Sequence, residues 1–111
     1  MSKKLNISNF ESEILNNPST SIVDFYADWC GPCRMVAPTL EKLAKKYNGE
    51  LYIYKVNIDN EPELAQRFRI SAVPTIMFVP IKGEPVTERG VISMEGFERY
   101  INRFLRLKQK P

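Results

Sequence analysis

The sequence predicts a single α/β domain over residues 1–111, a central mixed β-sheet with helices on both faces. Three observations carry this. Apolar runs rich in β-branched and aromatic residues at 22–27, 51–57 and 75–79 have the composition of buried strands. Between the first two, Val36, Leu40, Leu43, Ala44 and Tyr47 recur at the spacing of one helix face. A crossover helix implies that those two strands pair in parallel. Gly83 then turns the third run into a hairpin with residues 86–89, which is antiparallel, so the sheet is mixed.

In chain order, Ser8-Asn9-Phe10-Glu11 has the S-x-x-E form of a capping box. A short helix through about Leu15 follows, with Phe10 and Ile14 inward, ended by Asn16-Asn17-Pro18. The helix after the first strand runs to the stop signal Asn48-Gly49 and is expected to kink at Pro38, which removes one backbone hydrogen bond. Asn60-Glu61-Pro62-Glu63 opens a short helix with Leu64, Ala65 and Phe68 inward. The last helix, capped near Ser93, carries Phe97, Tyr100, Ile101, Phe104 and Leu105 on one stripe. Repeats, linkers and low-complexity segments are absent from the sequence.

A chain of 111 residues, 43% hydrophobic and 26% charged, can bury a core without extra staples. Its net charge of +3 is dispersed, with a basic run only at residues 103–110. Lysine and arginine in a last helical turn complement the helix dipole, so solvated capping is favoured over nucleic-acid binding. No stretch approaches the ~20 apolar residues of a membrane span. Lys3 and Lys4 are followed by no apolar segment that would make a signal peptide. A cytoplasmic monomer is expected, because two cysteines used transiently fit a reducing compartment.

Both cysteines and the only tryptophan fall in Asp28-Trp29-Cys30-Gly31-Pro32-Cys33-Arg34, where a strand turns into a helix. Pro32 lacks an N–H and suits a first helical turn. Residues three apart on a helical turn have β-carbons about 5–6 Å apart, within reach of a disulfide after a modest rotation. Cys30 sits where unpaired N–H groups and the helix dipole favour a thiolate. It is expected to be exposed and acidic, with Cys33 a turn inside and shielded. That asymmetry serves thiol–disulfide exchange. A structural disulfide, which gains more from longer loops, half of a zinc site and a pair of inert core thiols are the competing readings. Zinc wants four ligands, and the chain has two cysteines and no histidine.

Val23-Asp24-Phe25-Tyr26-Ala27-Asp28-Trp29-Cys30-Gly31-Pro32-Cys33-Arg34-Met35-Val36-Ala37-Pro38 resembles the active-site segment of the thioredoxin family. Lys55-Val56-Asn57-Ile58-Asp59, Ile70-Ser71-Ala72-Val73-Pro74-Thr75, Gly83-Glu84 and Gly90 match further segments in the family's order. The resemblance implies the thioredoxin fold and a protein-disulfide reductase. Cys30 would attack, Cys33 would resolve, and the Gly31-Pro32 pair is the family's reducing variant. No cofactor would be bound. Electrons would come from thioredoxin reductase, a flavoprotein partner that alone uses NADPH and FAD, in the service of cell redox homeostasis. The chain departs from the family's common pattern at Pro80-Ile81-Lys82 and Pro85 in the hairpin. Arg34 stands where lysine is usual, and Tyr26 where tryptophan is frequent. Tyr26 is expected to alter packing more than chemistry.

Asp24 interrupts an apolar strand, and burial would raise its pKa. Residue types leave two roles open, a proton acceptor for Cys33 or a structural ion pair with Lys55 on the neighbouring strand. The resemblance implies the first. Sequence physics alone favours a trans bond at Pro74. The resemblance implies a cis Val73–Pro74 bond facing the cysteines, with Val73 offering backbone groups to an extended substrate. It also implies an apolar rim of Trp29, Gly31, Pro32, Ala72, Val73, Pro74, Gly90 and Val91, although Trp29 taken alone equally suits a core. Two other classes of function stay open on sequence: a thioredoxin-like domain of an exported thiol–disulfide system, and a binding module whose cysteines are incidental.

Overall fold

A computed structural model describes residues 2–4, 6, 9–15 and 20–105. The element order is β1 (Ser2–Lys4), a short helical segment of π type (Glu11–Leu15), β2 (Ser21–Tyr26), α1 (Gly31–Lys46), β3 (Tyr52–Asn57), α2 (Pro62–Arg67), β4 (Thr75–Val79), β5 (Val86–Arg89) and α3 (Met94–Arg103). The five strands form one sheet in the order β1-β3-β2-β4-β5. β1 and β2 run parallel to β3, while β2–β4 and β4–β5 are antiparallel, so the expected mixed sheet is present. Ser8, the stop at 16–18 and the basic residues beyond 105 lie outside the described residues.

Side-chain alternation along the strands divides the core in two. Ile22, Ile53, Ile76 and Phe78 meet Val36, Leu40 and Leu43 of α1 and Phe97 and Ile101 of α3 on one face. Val23, Phe25, Tyr54, Val56 and Met77 meet Phe10 and Leu64 on the other, with Ile14 and Phe68 packed against them. By the same alternation, Asp24, Tyr26 and Lys55 project toward the α1 face. A one-residue slip of β2 would send Asp24 to the other side.

One strand has no counterpart in the sequence reading, and α1 stops slightly short of its expected end. β1 has no apolar signature, being Ser-Lys-Lys, and was not foreseen; parallel pairing with β3 supplies its order. α1 continues through Pro38 as one helix and ends at Lys46, two residues before the Asn48-Gly49 stop. Pro38 lies on the exposed side, where the Arg34 carbonyl, which has no residue-38 N–H to accept from, can meet water.

The entry to α3 has a checkable cap. Ser93 accepts a hydrogen bond from the Gly96 N–H, 3.1 Å, and Phe97 and Ile101 behind it are fully buried. Ser93→Ala is expected to cost about 1 kcal/mol, read as a lowered urea midpoint at unchanged slope.

Candidate active site

β2 ends at Tyr26, and the chain crosses Ala27–Trp29 before α1 begins. Cys30 is the N-cap residue, in extended conformation, and Pro32 sits within the first turn. The Cys33 N–H donates to Cys30 Sγ at 3.1 Å, so an otherwise unpaired helix N–H points at that sulfur. Cys30 and Cys33 form a disulfide with a Cα separation of 5.3 Å. The expected difference in exposure is not found. Cys30 is 4% and Cys33 5% exposed, because Ala27 packs with both sulfurs and Tyr26, Ile58 and Val73 close around them. In the oxidised state the two sulfurs are told apart by their place on the helix, not by accessibility.

The Val73–Pro74 peptide bond is cis, as the family resemblance implies and residue physics alone did not. Pro74 is buried, and its carbonyl accepts from the Gly90 N–H at 2.8 Å. Gly90 holds φ 89°, a left-handed conformation that favours glycine. The expected rim residues Ala72, Val73, Gly90 and Val91 are thereby held on segments tied at Pro74. Val73 packs against the cysteine pair, and among the described residues nothing pairs with its N–H or C=O. Gly31, Pro32, Ala72 and Val91 are exposed, and Gly90 is half-buried.

Trp29 is 68% exposed, which removes the core reading of that residue. Its indole N–H donates to Asp59 Oδ2 at 2.9 Å, fixing the ring beside the motif. The role of Asp59 was missed from sequence. Its signals were a carboxylate just past the end of β3 and its place in the Lys55–Asp59 segment that matches the family. Asp28 is held too: Asn57 donates to its carboxylate at 3.3 Å, and the Arg34 guanidinium donates to its carbonyl at 2.7 Å.

Beneath α1, Asp24, Tyr26, Cys33, Ala37 and Lys55 line a cavity of about 190 Å³, with Asp28 and Arg34 at its wall. A larger cavity of about 310 Å³ lies by the first half of β3 and Lys3, and neither cysteine reaches it. Asp24 is 1% exposed, and among the described residues nothing donates a hydrogen bond to its Oδ1. Burial pushes its pKa up to about 6, partly offset by the Lys55 charge. Asp24 and Lys55 are register partners across β2 and β3. The structure thus brings Asp24, Lys55 and Cys33 to one cavity and packs Val73 against Cys30 and Cys33 in one cluster. Among the described residues no three His, Cys, Asp or Glu are grouped to hold a metal ion, and no helix is long and apolar enough to cross a membrane.

A family model described as Thioredoxin matches residues 1–103. The thioredoxin of Borreliella burgdorferi is 42% identical over 84 residues, covering 76% of this chain and 72% of the relative. Thioredoxin 2 of Chlorobaculum tepidum is 43% identical over 83 residues, covering 75% and 74% respectively. Among solved structures, chloroplastic thioredoxin z gives a TM-score of 0.85 at 29% identity over 92% of each chain.

Proposed function

The chain belongs to the thioredoxin family, and from that membership we propose how its residues divide the work of reducing protein disulfides. It is a thiol–disulfide oxidoreductase whose redox centre is the Cys30–Cys33 pair. In the reduced protein the Cys30 thiolate attacks one sulfur of a substrate disulfide. A Cys30–substrate mixed disulfide forms, and the other substrate sulfur leaves as a thiolate that takes a proton. Cys33 then loses its proton, attacks Cys30 Sγ, and expels the second substrate thiolate. The products are a reduced substrate and the Cys30–Cys33 disulfide.

Asp24 is the proton acceptor for Cys33 in this reading. What supports it is the shared cavity, roomy enough for a water between the two groups, and a carboxylate pKa pushed up to about 6. Lys55 supplies the compensating charge. Substrate chain flanking the disulfide lies across Trp29, Gly31, Pro32, Ala72, Gly90 and Val91, and pairs with the open N–H and C=O of Val73 beside Pro74. Thioredoxin reductase, with its own FAD and NADPH, returns the pair to the dithiol. The protein works as a cytoplasmic monomer, a setting that suits two cysteines used transiently.

The observation that carries the assignment of attacker and resolver is the helix N–H directed at Cys30 Sγ. Reduced Cys30 is accordingly expected to titrate well below the ordinary cysteine value of about 8.5 and to be alkylated faster than Cys33. Timed iodoacetamide labelling near neutral pH, resolved by peptide mass spectrometry, checks this; equal rates at the two thiols would remove the assignment, and faster labelling of Cys33 would reverse it. Insulin reduction with a Cys30→Ser, Cys33→Ser double variant as control tests the activity itself. Activity surviving in that control would show that the pair is incidental.

A further inference from the structure

Asp24, Tyr26 and Lys55 share one face of the sheet, since Val23, Phe25, Tyr54 and Val56 between and beside them pack into the opposite core. All three line the cavity that reaches Cys33. Asp24 and Lys55 are register partners on adjacent strands, a placement from which a direct ion pair would be expected. Among the described residues no ion pair joins them. Instead the Lys55 ammonium sits 4.8 Å from the centroid of the Tyr26 ring.

We propose that Tyr26 is a positioning residue, whose ring face holds the Lys55 ammonium in the cavity, close enough to act on Asp24 through space but clear of bonding it. An aromatic face attracts a cation most strongly where water is partly excluded, which is the situation beneath α1. A lysine in contact with Asp24 would tie the carboxylate up as an anion. A lysine released to solvent would leave the carboxylate's charge unopposed. Held on the ring, it takes the intermediate course, consistent with burial outweighing Lys55 in the environment of Asp24. The other charged groups at this cavity are Asp28 and Arg34; on the β1 side, Lys55 has Lys4 as its register partner and lines a second cavity with Lys4 and Glu61. Asp28 accepts from the Asn57 side chain, and the Arg34 guanidinium is bonded to the Asp28 carbonyl. From β4, the register partner of Asp24 is the apolar Ile76. The role goes beyond the packing expected when tyrosine stands in a position where the family often has tryptophan.

The inference rests on the reading of Asp24 as proton acceptor, so its test follows the titration of Asp24 directly and leaves turnover aside. The Asp24 carboxyl carbon is titrated by NMR in the oxidised protein, with and without Lys55→Met, in three backgrounds: wild type, Tyr26→Phe and Tyr26→Met. Lys55→Met is expected to raise the Asp24 midpoint in the wild type, and equally in Tyr26→Phe, which keeps the ring. In Tyr26→Met the rise is expected to fall to less than half, because nothing keeps the ammonium in place. An equal rise in all three backgrounds overturns the proposal, as does Tyr26→Phe behaving like Tyr26→Met. Should Tyr26→Met not fold, pentafluorophenylalanine at position 26 keeps the ring's shape while reversing the charge of its face. The same loss of coupling is then expected, and full coupling overturns the proposal. If the coupling is found while Asp24→Asn turns over normally, the proton-acceptor reading fails and the placement of Lys55 by Tyr26 stands.

Discussion

Cys33→Ser is expected to convert the protein from a turnover catalyst into a covalent trap. The backbone N–H that points at Cys30 Sγ belongs to residue 33 whatever its side chain, so the activation of Cys30 survives the substitution. Attack on a substrate disulfide therefore proceeds, and one mixed disulfide accumulates per protein molecule. A serine hydroxyl ionises far too weakly to replace a thiolate as the second nucleophile, so the adduct has no internal route to release. Insulin reduction should fall to the uncatalysed background, and intact-mass spectra under non-reducing conditions should show a protein–substrate adduct that dithiothreitol removes. Cys30→Ser should give neither turnover nor adduct, because Cys33 is a turn inside α1 and lacks the N-cap position. Turnover by Cys33→Ser near the wild-type rate would mean that external thiols, not Cys33, resolve the intermediate. An adduct on Cys30→Ser would exchange the roles of the two cysteines.

Much of this site was legible in the sequence because its parts violate the pattern around them. A carboxylate within an apolar strand marks Asp24, and a lysine in the next strand marks Lys55; pairing of β2 with β3 brings them into register. The CxxC spacing at a strand-to-helix junction marks the redox pair, and the structure adds the N–H on Cys30 Sγ. Other features depend on contacts that no local pattern encodes. β1 is three polar residues whose strand character comes only from lying beside β3. The burial of Cys30 comes from Ile58 and Val73, remote in sequence, so a helix-position argument could not foresee it. The cis bond at Pro74 followed from family resemblance, since residue physics favours trans. Tyr26 was read as packing, because a ring's relation to an ammonium on the neighbouring strand is a property of side-chain placement.

Asp24→Asn is expected to stabilise the protein while slowing it, with both effects set by pH. The folded pKa of about 6 lies above the value near 3.9 of an unfolded aspartate. The folded state therefore holds the proton more tightly. The stabilisation this confers is fully present below about pH 4 and is lost as pH rises through about 6. Above that, the wild type carries a buried carboxylate to whose Oδ1 nothing among the described residues donates. A shift of about two pH units corresponds to about 3 kcal/mol, an upper bound on what the neutral amide recovers at pH 8. Urea unfolding at pH 4 and pH 8 should show similar stabilities at the lower pH and a clear gain for the variant at the higher one. Insulin turnover should move the other way. At pH 7 it is expected to fall roughly tenfold, less than the 10²–10⁴ of an enclosed base, because the cavity lets water take part of the role. The deficit should shrink toward pH 9, where hydroxide increasingly takes the proton directly. A stability gain with no change in turnover between pH 6 and 9 would reduce Asp24 to a buried charge without a catalytic part. A turnover loss with no stability gain at pH 8 would mean that Lys55 already compensates the carboxylate fully.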